Sequence, residues 1–192
     1  MPAPARTSIG AIVVAGRRIL EDGGLDALTM QSVASAVGVR APSLYKHVDG
    51  RPALVRLIAA DVAGDLSAAL EAAADTGDPS RDLAAMAGAF RTFAHLNPEG
   101  YGLLFRRLPD AWRTDVDLSS PGFATLFRAV GEVSGPAHVL EAARLVVAWA
   151  HGFVSMELSG AFRLGGDVDD AFAFAVGSVV EAISRRAGRA RR

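Results

Sequence analysis

The run LTMQSVASAVGVRAPSLYKHV, residues 28–48, decides the fold of the N-terminal part of the chain. Thr29 is an N-cap candidate, and apolar residues follow it at helical spacing until Gly38, where glycine can stop a helix after about two turns. Pro42 suits the first turn of a second short helix, which Leu44 can anchor from inside. The run therefore predicts two short helices joined by a tight turn that contains glycine.

Outward from this run, apolar residues recur at spacings of three and four almost everywhere, and strand signals are nearly absent. We therefore expect an all-α fold. A first helix is predicted to begin after Thr7 or Ser8 and to end at the Gly23-Gly24 pair. Further breaks rich in proline and glycine are predicted at 75–79, 97–99, 108–109, 120–121, 134–136 and 165–167.

A long helix predicted from about Gly50 to Ala74 joins a small N-terminal head to a larger helical body. This organisation predicts two domains, residues 1–50 and 51–192. In the body, a helix predicted over about 136–162 carries apolar residues on two faces, so both faces must be covered.

Charge is distributed unevenly along the chain. Residues 1–56 carry seven basic and four acidic groups, a balance of +3, whereas residues 57–184 carry eight basic and seventeen acidic groups, a balance of −9. A basic head on an acidic body indicates that only the head meets a polyanion, although ordinary solvated faces would give the same totals. We interpret the five arginines between Arg185 and Arg192 as a solvated end.

The composition excludes several classes of site. The chain has no cysteine, which excludes disulfides and thiolate metal sites. His95, His138 and His151 lack a second ligand at helical spacing, so we expect neither a metal nor a cofactor. We find no activated nucleophile, carboxylate pair or phosphate-binding glycine loop, so we do not expect an enzyme. No secretion signal or stretch of ~20 uncharged apolar residues is present, which favours a cytoplasmic protein without a membrane segment.

Two short helices around a glycine turn form the helix-turn-helix pattern, in which the second helix fits the major groove of DNA. The pattern alone is weakly specific, because any compact helical hairpin shows it. In detail, however, residues 28–48 closely resemble the DNA-binding signature of TetR-type regulators, and the Leu44-Tyr45-Lys46-His47 tetrad after a Gly-Val turn is the specific part.

The detailed resemblance covers roughly residues 7–60, and the remainder resembles the family as a helix-rich body of suitable length. Residues 149–152, Trp-Ala-His-Gly, also resemble the Trp-His-Gly element of one subgroup. The resemblance implies a homodimer through the helices at about 136–162 and 168–186. It also implies a cavity for a small-molecule effector inside the body.

Carried over position by position, the resemblance implies a DNA-binding surface. Thr29 would contact a phosphate as well as cap its helix, and Arg51 at the start of the fourth helix would hold another phosphate. Tyr45, taken alone, could equally be a packed aromatic residue. The implied DNA-binding residues are Thr29, Gln31, Arg40, Ala41, Pro42, Ser43, Tyr45, Lys46, His47 and Arg51.

Three positions depart from the family pattern. Ser32 replaces the usual acidic partner of the capping box, Val48 replaces a phenylalanine, and Gly50 with Pro52 replaces a more helix-favouring start. We expect each departure to weaken a helix end by about 1 kcal/mol at most.

The large apolar side chains of the body are candidates for an effector pocket, although core packing is the default explanation for each of them. A pocket also needs a few polar groups, and Tyr101, His151 and Glu157 are the nearest candidates. The candidate effector-binding residues are Phe90, Phe93, Tyr101, Leu104, Phe105, Phe127, Trp149, His151, Phe153 and Met156.

The sequence thus predicts a DNA-binding transcriptional regulator, specifically a repressor that a small apolar or amphipathic effector releases from double-stranded operator DNA. Three alternatives are an all-helical enzyme, a small-molecule-binding protein without specific DNA recognition, and a scaffold that contacts DNA non-specifically. Steep salt dependence without a preferred sequence would identify the last of these.

Overall fold

The computed structural model describes residues 8–112 and 119–189, with side chains as far as Arg185. Within these ranges every regular element is a helix, which confirms the predicted all-α class. Thr7 and the arginines beyond Arg185 lie outside the described side chains. The α-helices are α1 Ile9–Ala27, α2 Met30–Ala36, α3 Ala41–Leu44, α4 Gly50–Ala73, α5 Pro79–Leu96, α6 Pro98–Phe105, α7 Pro121–Ser134, α8 Val139–Leu158 and α9 Val168–Arg189, with 3₁₀ turns at Asp110–Trp112 and Pro136–His138.

Glycine interrupts α1 where the sequence predicted an end. Ser8 caps the helix, since its Oγ accepts the Ala11 N–H at 3.1 Å. At Gly24 the backbone adopts φ +70°, which breaks the helical path, and one further turn then follows to Ala27. The Gly23-Gly24 signal was therefore correct as a break, but the chain stays helical for another turn after it.

Two helices end a few residues earlier than the sequence predicted. The helix predicted to reach Phe162 ends at Leu158, because Gly160 takes φ +65° and the N–H of Ala161 bonds back to the Met156 carbonyl. This is a Schellman-type ending, which glycine favours. The helix predicted to reach Leu108 ends at Phe105 and gives way to extended backbone.

The chain packs as two compact units. The first comprises residues 1–65 and 97–116, so the beginning of α4 and all of α6 belong with the helix-turn-helix head. Gly16 permits a close approach of α1 and α4 here, because a Cβ at this position would lie 2.5 Å from Ile58 Cδ1. The fully buried side chains of this unit include Ile12, Leu20, Leu28, Val33, Leu44, Leu54 and Ile58.

The second unit comprises residues 66–96 and 117–192, in which α5 and α7 pack together and α8 and α9 pack against them. The C-terminal part of α4 meets the start of α7 at Ser67 and Gly122. The Gly122 N–H donates to the buried Ser67 Oγ at 3.0 Å, so a side chain on α4 satisfies a free donor of α7.

Candidate nucleic-acid interface

A closed capping box orients the first short helix of the head. The Ser32 N–H donates to Thr29 Oγ1 at 3.0 Å, and the Thr29 N–H donates to Ser32 Oγ at 3.0 Å. Ser32 therefore performs the reciprocal bond that an acidic residue makes in the family pattern. The serine hydroxyl thus reaches the same N–H that the acidic side chain would accept, and the size of any weakening at this helix start stays a prediction.

The other two departures are also accommodated. Val48 is buried in the head. Gly50 adopts φ +74°, a left-handed conformation that costs glycine little and most residues considerably more. The glycine therefore suits the backbone that leads into α4.

The turn between α2 and α3 depends on Gly38, which has φ +73°, and on a bond from the Val39 N–H to the Ala34 carbonyl at 2.9 Å. These are the features of a glycine-terminated helix. Arg40 then occupies the N-cap position of α3 and Pro42 lies in its first turn, as predicted. Leu44 is completely buried and anchors α3, in which Pro42 is exposed and Ala41 and Ser43 are half-buried.

The predicted DNA-binding residues lie in the same unit, and most of them are exposed. Tyr45 is 58 % exposed, so its aromatic ring is available at the surface of the head. Thr29, Ala41, Ser43 and Arg51 are half-buried. The exposed members of the set are Gln31, Arg40, Pro42, Tyr45, Lys46 and His47.

Arg51 makes contacts that the sequence did not predict. Its Nε donates to the Leu28 carbonyl at 2.7 Å and its Nη2 donates to the Leu25 carbonyl at 2.6 Å. The guanidinium carbon lies 4.8 Å from the centroid of the Trp112 ring. No local pattern links these positions, because Trp112 is distant in sequence and the two carbonyls belong to backbone.

The candidate effector residues are divided between the two units. Tyr101, Leu104 and Phe105 belong to α6 and thus to the first unit, where the Tyr101 and Phe105 rings lie 5.0 Å apart. The others belong to the second unit, and among them Met156 is exposed on α8. The members in the second unit are Phe90, Phe93, Phe127, Trp149, His151, Phe153 and Met156.

An aromatic cluster in the second unit brings some of these residues together. The ring centroids of Trp149 and Phe172 are 5.5 Å apart, and those of Phe153 and Phe172 are 5.2 Å apart. Phe153 also lies 4.8 Å from Phe162 in the α8–α9 connection. Phe162 and Phe172 were not among the predicted site residues, because a single aromatic residue at a helix edge gives no signal of which neighbours it meets.

A partly buried ionic cluster joins α5, α8 and α9. Arg91 Nε donates to Glu157 Oε2 at 2.8 Å, Arg91 Nη2 lies 2.6 Å from Asp169 Oδ1, and His95 Nε2 lies 3.1 Å from Glu157 Oε2. The guanidinium of Arg91 also lies over the Phe172 ring at 4.8 Å. The hydrogen bond from Arg91 is the main reason that the pKa of Glu157 is lowered and that the pKa of Arg91 is raised.

His151 lies on α8 half-buried, with Nδ1 3.5 Å from Ser155 Oγ. Burial lowers the pKa of this imidazole, which favours its neutral form. Among the described residues, no group of three His, Asp or Glu side chains is arranged to hold a metal ion.

One segment of the described chain, Pro136–Leu158, is long and apolar enough to cross a membrane by length and composition. This is weak evidence for a membrane span, since core helices of globular proteins pass the same test. The segment forms one side of the second unit, where Ala142, Val146, Ala150 and Val154 are buried.

The geometry defines the class of protein: an all-helical chain whose head presents an exposed helix-turn-helix surface. Comparison with known proteins supports this class. Residues 12–58 match the family described as bacterial regulatory proteins, tetR family, and residues 83–179 match the tetracyclin repressor-like C-terminal domain. The chain therefore belongs to the TetR family of helix-turn-helix transcriptional regulators.

Two curated relatives come from Mycobacterium tuberculosis. The uncharacterized HTH-type transcriptional regulator Rv0681 is 34 % identical over 106 residues, which is 55 % of this chain and 48 % of the relative. The HTH-type transcriptional regulator Rv1816 is 34 % identical over 105 residues, which is 53 % and 45 % of the two chains. The chain thus spans about half the length of the curated relatives it matches.

Solved structures match over nearly the whole chain. A protein of unknown function from Rhodococcus sp. RHA1 has a TM-score of 0.78 at 25 % identity and covers 96 % of this chain and 100 % of its own. Two others, at lower identity, share the fold. They are the transcriptional regulator SCO7222 from Streptomyces coelicolor (TM-score 0.73, 18 % identity, 94 % and 99 % covered) and a TetR variant from Acinetobacter baumannii in complex with minocycline (TM-score 0.69, 23 % identity, 93 % and 97 % covered).

Proposed function

We propose that this chain is a cytoplasmic, homodimeric repressor that binds an operator in double-stranded DNA and is released by a small apolar or amphipathic effector. The observation that supports DNA binding most directly is the outward face of α3. Leu44 holds this short helix by a fully buried side chain, while Arg40 at its N-cap and Tyr45 and Lys46 directly after it remain exposed. We retain 1–50 as the DNA-binding domain and 51–192 as the effector-binding and dimerisation domain.

Each side chain of this surface has a distinct role in the proposal. A guanidinium such as that of Arg40 can donate two hydrogen bonds to a guanine edge in the major groove, and Gln31 can pair in the same way with adenine. Ala41, Pro42 and Ser43 lie next to Arg40 and offer small or apolar contacts to the bases. Four residues would hold the phosphate backbone and so carry affinity without sequence preference: Thr29, Tyr45, Lys46 and His47.

The test is retention of a duplex carrying the gene's own upstream region, with a selection from random duplexes in parallel. We expect Tyr45→Ala combined with His47→Ala to abolish retention of the selected sequence, and Lys46→Ala to weaken binding to all sequences equally. Arg81→Ala is the matched control for loss of an exposed cation, since Arg81 is 80 % exposed in the second unit. Equal retention of all duplexes by the wild-type protein, with a steep salt dependence, would instead identify the non-specific scaffold.

The homodimer is proposed to form through α8 and α9. Each helix leaves a row of apolar or small residues uncovered within the protomer, and Phe174 on α9 is 78 % exposed. Gly177 and the small Ser178 follow Phe174, and the Ser178 hydroxyl already bonds to the Phe174 carbonyl within its own helix. A face of this kind can pack closely against an identical face.

The charges on α9 favour an antiparallel pairing centred on Gly177 and Ser178. In that arrangement Asp170 near the start of one helix faces Arg185 near the end of the other, so opposite charges meet at both ends. Phe174 then approaches Ala182 of the partner, beside which the second unit has a surface pocket of about 370 Å³. The pocket is lined by Ser134, His138, Glu141, Ala142, Leu145, Ala182 and Ile183.

Phe174→Asp tests this interface, because it would place an unpaired charge against the apolar part of the pocket. We expect dimerisation to weaken by roughly 100-fold, the effect of losing a central aromatic anchor. Sedimentation equilibrium measures it. Leu164→Asp is the control, since Leu164 is fully exposed in the α8–α9 connection. A Phe174→Asp protein that stays dimeric at wild-type concentrations would refute the proposed pairing.

For the effector, we propose that the aromatic cluster of Trp149, Phe153 and Phe172 forms part of the binding wall. The adjacent Arg91 and Glu157 supply charge at its edge, which suits an amphipathic molecule. A panel of aliphatic carboxylates and aromatic amphiphiles, scored first by thermal shift and then by release from the operator, tests this. If a compound raises the melting temperature and releases the operator equally in the wild-type protein and in Phe153→Ala, the effector does not bind against this cluster.

A further inference from the structure

Arg51 lies in the first turn of α4, and its side chain binds the backbone at the end of α1. Its Nε and Nη2 donate to the carbonyl oxygens of Leu28 and Leu25 at 2.7 and 2.6 Å. These carbonyls belong to the single turn that follows the break at Gly24, and the Leu25 carbonyl also accepts the Leu28 N–H at 3.2 Å. A guanidinium with two parallel donors satisfies them well, because its geometry is planar and its charge is permanent.

Trp112 covers this guanidinium from one side, with the ring centroid 4.8 Å from the guanidinium carbon. The ring belongs to the short 3₁₀ turn after α6, which the Trp112 N–H closes by donating to the Pro109 carbonyl at 2.8 Å. Arg56, further along α4, donates to the Ala111 carbonyl. The segment that follows α6 is thus attached to α4 at two successive points.

The beginning of α6 is attached to α1 as well. The carboxylate of Glu21 accepts the N–H groups of Glu99 and Gly100 at 3.1 and 2.8 Å. Gly100 makes this possible, since a Cβ there would lie 2.9 Å from the Glu21 carboxylate oxygen. Residues 97–112 therefore bridge α1 and α4, and the Arg51–Trp112 contact closes the bridge at the α1–α4 junction.

We propose that Arg51 is a positioning residue that, clamped by Trp112, fixes the angle between α1 and α4, and so holds the head in its DNA-binding arrangement. The inference rests on the proposed function, since it names what positions the same DNA-binding surface. The two carbonyl bonds use two of the five N–H donors of the guanidinium, and the Trp112 ring lies over its face. The protein itself therefore fixes the orientation of the Arg51 side chain before any DNA is bound.

Substitution of Arg51 by lysine distinguishes a structural role from a phosphate contact. Arg51→Lys keeps a cation that can reach a phosphate, but an ammonium cannot make the two parallel bonds and lie flat on the ring. We expect Arg51→Lys and Trp112→Ala each to lower operator affinity by about tenfold, the loss of a stacked and doubly bonded guanidinium. The double variant should be no worse than either single one, because both remove the same contact. Trp112→Phe, which keeps an aromatic ring, should recover most of the affinity.

The salt dependence of binding is the readout that a phosphate contact would move and a clamp would not. The slope of log K against log salt falls by about 0.9 for each phosphate contact removed. We expect Arg51→Ala to keep the wild-type slope and Lys46→Ala to lower it. Wild-type affinity in Arg51→Lys and Trp112→Ala, together with a lower slope in Arg51→Ala, would overturn the clamp.

The clamp can fail separately from DNA binding. If the wild-type protein retains no specific duplex, the proposed function fails. The clamp is then judged by thermal unfolding of the wild-type protein, Arg51→Lys, Trp112→Ala and the double variant. Coupled losses of melting temperature in Arg51→Lys and Trp112→Ala would support the contact. Strictly additive losses would overturn it.

Discussion

The contact between α4 and α7 leads to a prediction about Gly122, the second residue of α7. A Cβ at this position would lie 2.0 Å from the Ser67 carbonyl oxygen and 2.7 Å from its carbonyl carbon, and no rotamer change relieves a clash with backbone. Overpacking of this kind costs about 1–3 kcal/mol, and a displaced helix would also lose the bond from Gly122 N–H to Ser67 Oγ, worth about 1 kcal/mol. Alanine returns at most about 1 kcal/mol of helix propensity.

Gly122→Ala should therefore destabilise the protein by about 1–3 kcal/mol, which is roughly 2–12 °C in melting temperature for a chain of this size. Urea and thermal unfolding followed by circular dichroism measure this, at one fixed protomer concentration. Gly88→Ala is the matched control: Gly88 lies inside α5 and a Cβ there meets nothing within 4 Å. We expect the control to stabilise by about 0.5–1 kcal/mol. If Gly122→Ala is as stable as Gly88→Ala, α4 and α7 do not approach as described.

Three further predictions concern single side chains. Thr29→Ala should cost about 1 kcal/mol of unfolding free energy, because it removes the acceptor of the Ser32 N–H; an unchanged free energy in urea unfolding would contradict the cap. Leu44→Ala should cost about 2–5 kcal/mol, and a smaller loss in urea unfolding would mean that α3 is not anchored by this residue. Glu157→Gln should cost about 1–3 kcal/mol at neutral pH. Because the pKa of Glu157 is lowered in the folded state, its contribution is present above the ordinary carboxyl range and is lost as the pH falls through the folded pKa. Unfolding across acid pH should thus be less steep in Glu157→Gln, and equal steepness would contradict the pairing with Arg91.

The parts of the fold that were predicted from sequence depend on local rules. The Thr29 cap, the Gly38 turn and Pro42 in the first turn of α3 each act within a few residues, so each could be recognised without knowing the rest of the chain. The end of α8 could not be placed in the same way. Apolar spacing continues past Leu158 to Phe162, and only the left-handed Gly160 decides that the helix stops first.

The contacts that organise the body escaped prediction because they join distant segments. Arg91 and His95 lie one turn apart on α5, which predicts a shared face but not the partner of that face. Glu157 is 66 residues from Arg91 in sequence, and a carboxylate in a helix gives no sign of which cation it meets. Sequence reasoning did select Trp149 and Phe153 from the same region, because bulky aromatic residues have to be covered wherever the fold places them.

Ser32 and Arg51 together define what a motif can and cannot predict. At both positions the residue type sets the available chemistry: a hydroxyl can close a capping box, and a guanidinium can bind an oxygen anion or a carbonyl. At Ser32 the partner is three residues away in the same helix start, so the chemistry performed follows from local geometry even though the residue departs from the pattern. At Arg51 the competing partners are a phosphate outside the protein and two carbonyls and a tryptophan inside it. The internal set offers two short bonds and a stacked ring without any loss of translational freedom on binding. The motif does not distinguish a structural role from a phosphate contact at this position, so the lysine variant and the salt dependence of binding decide it.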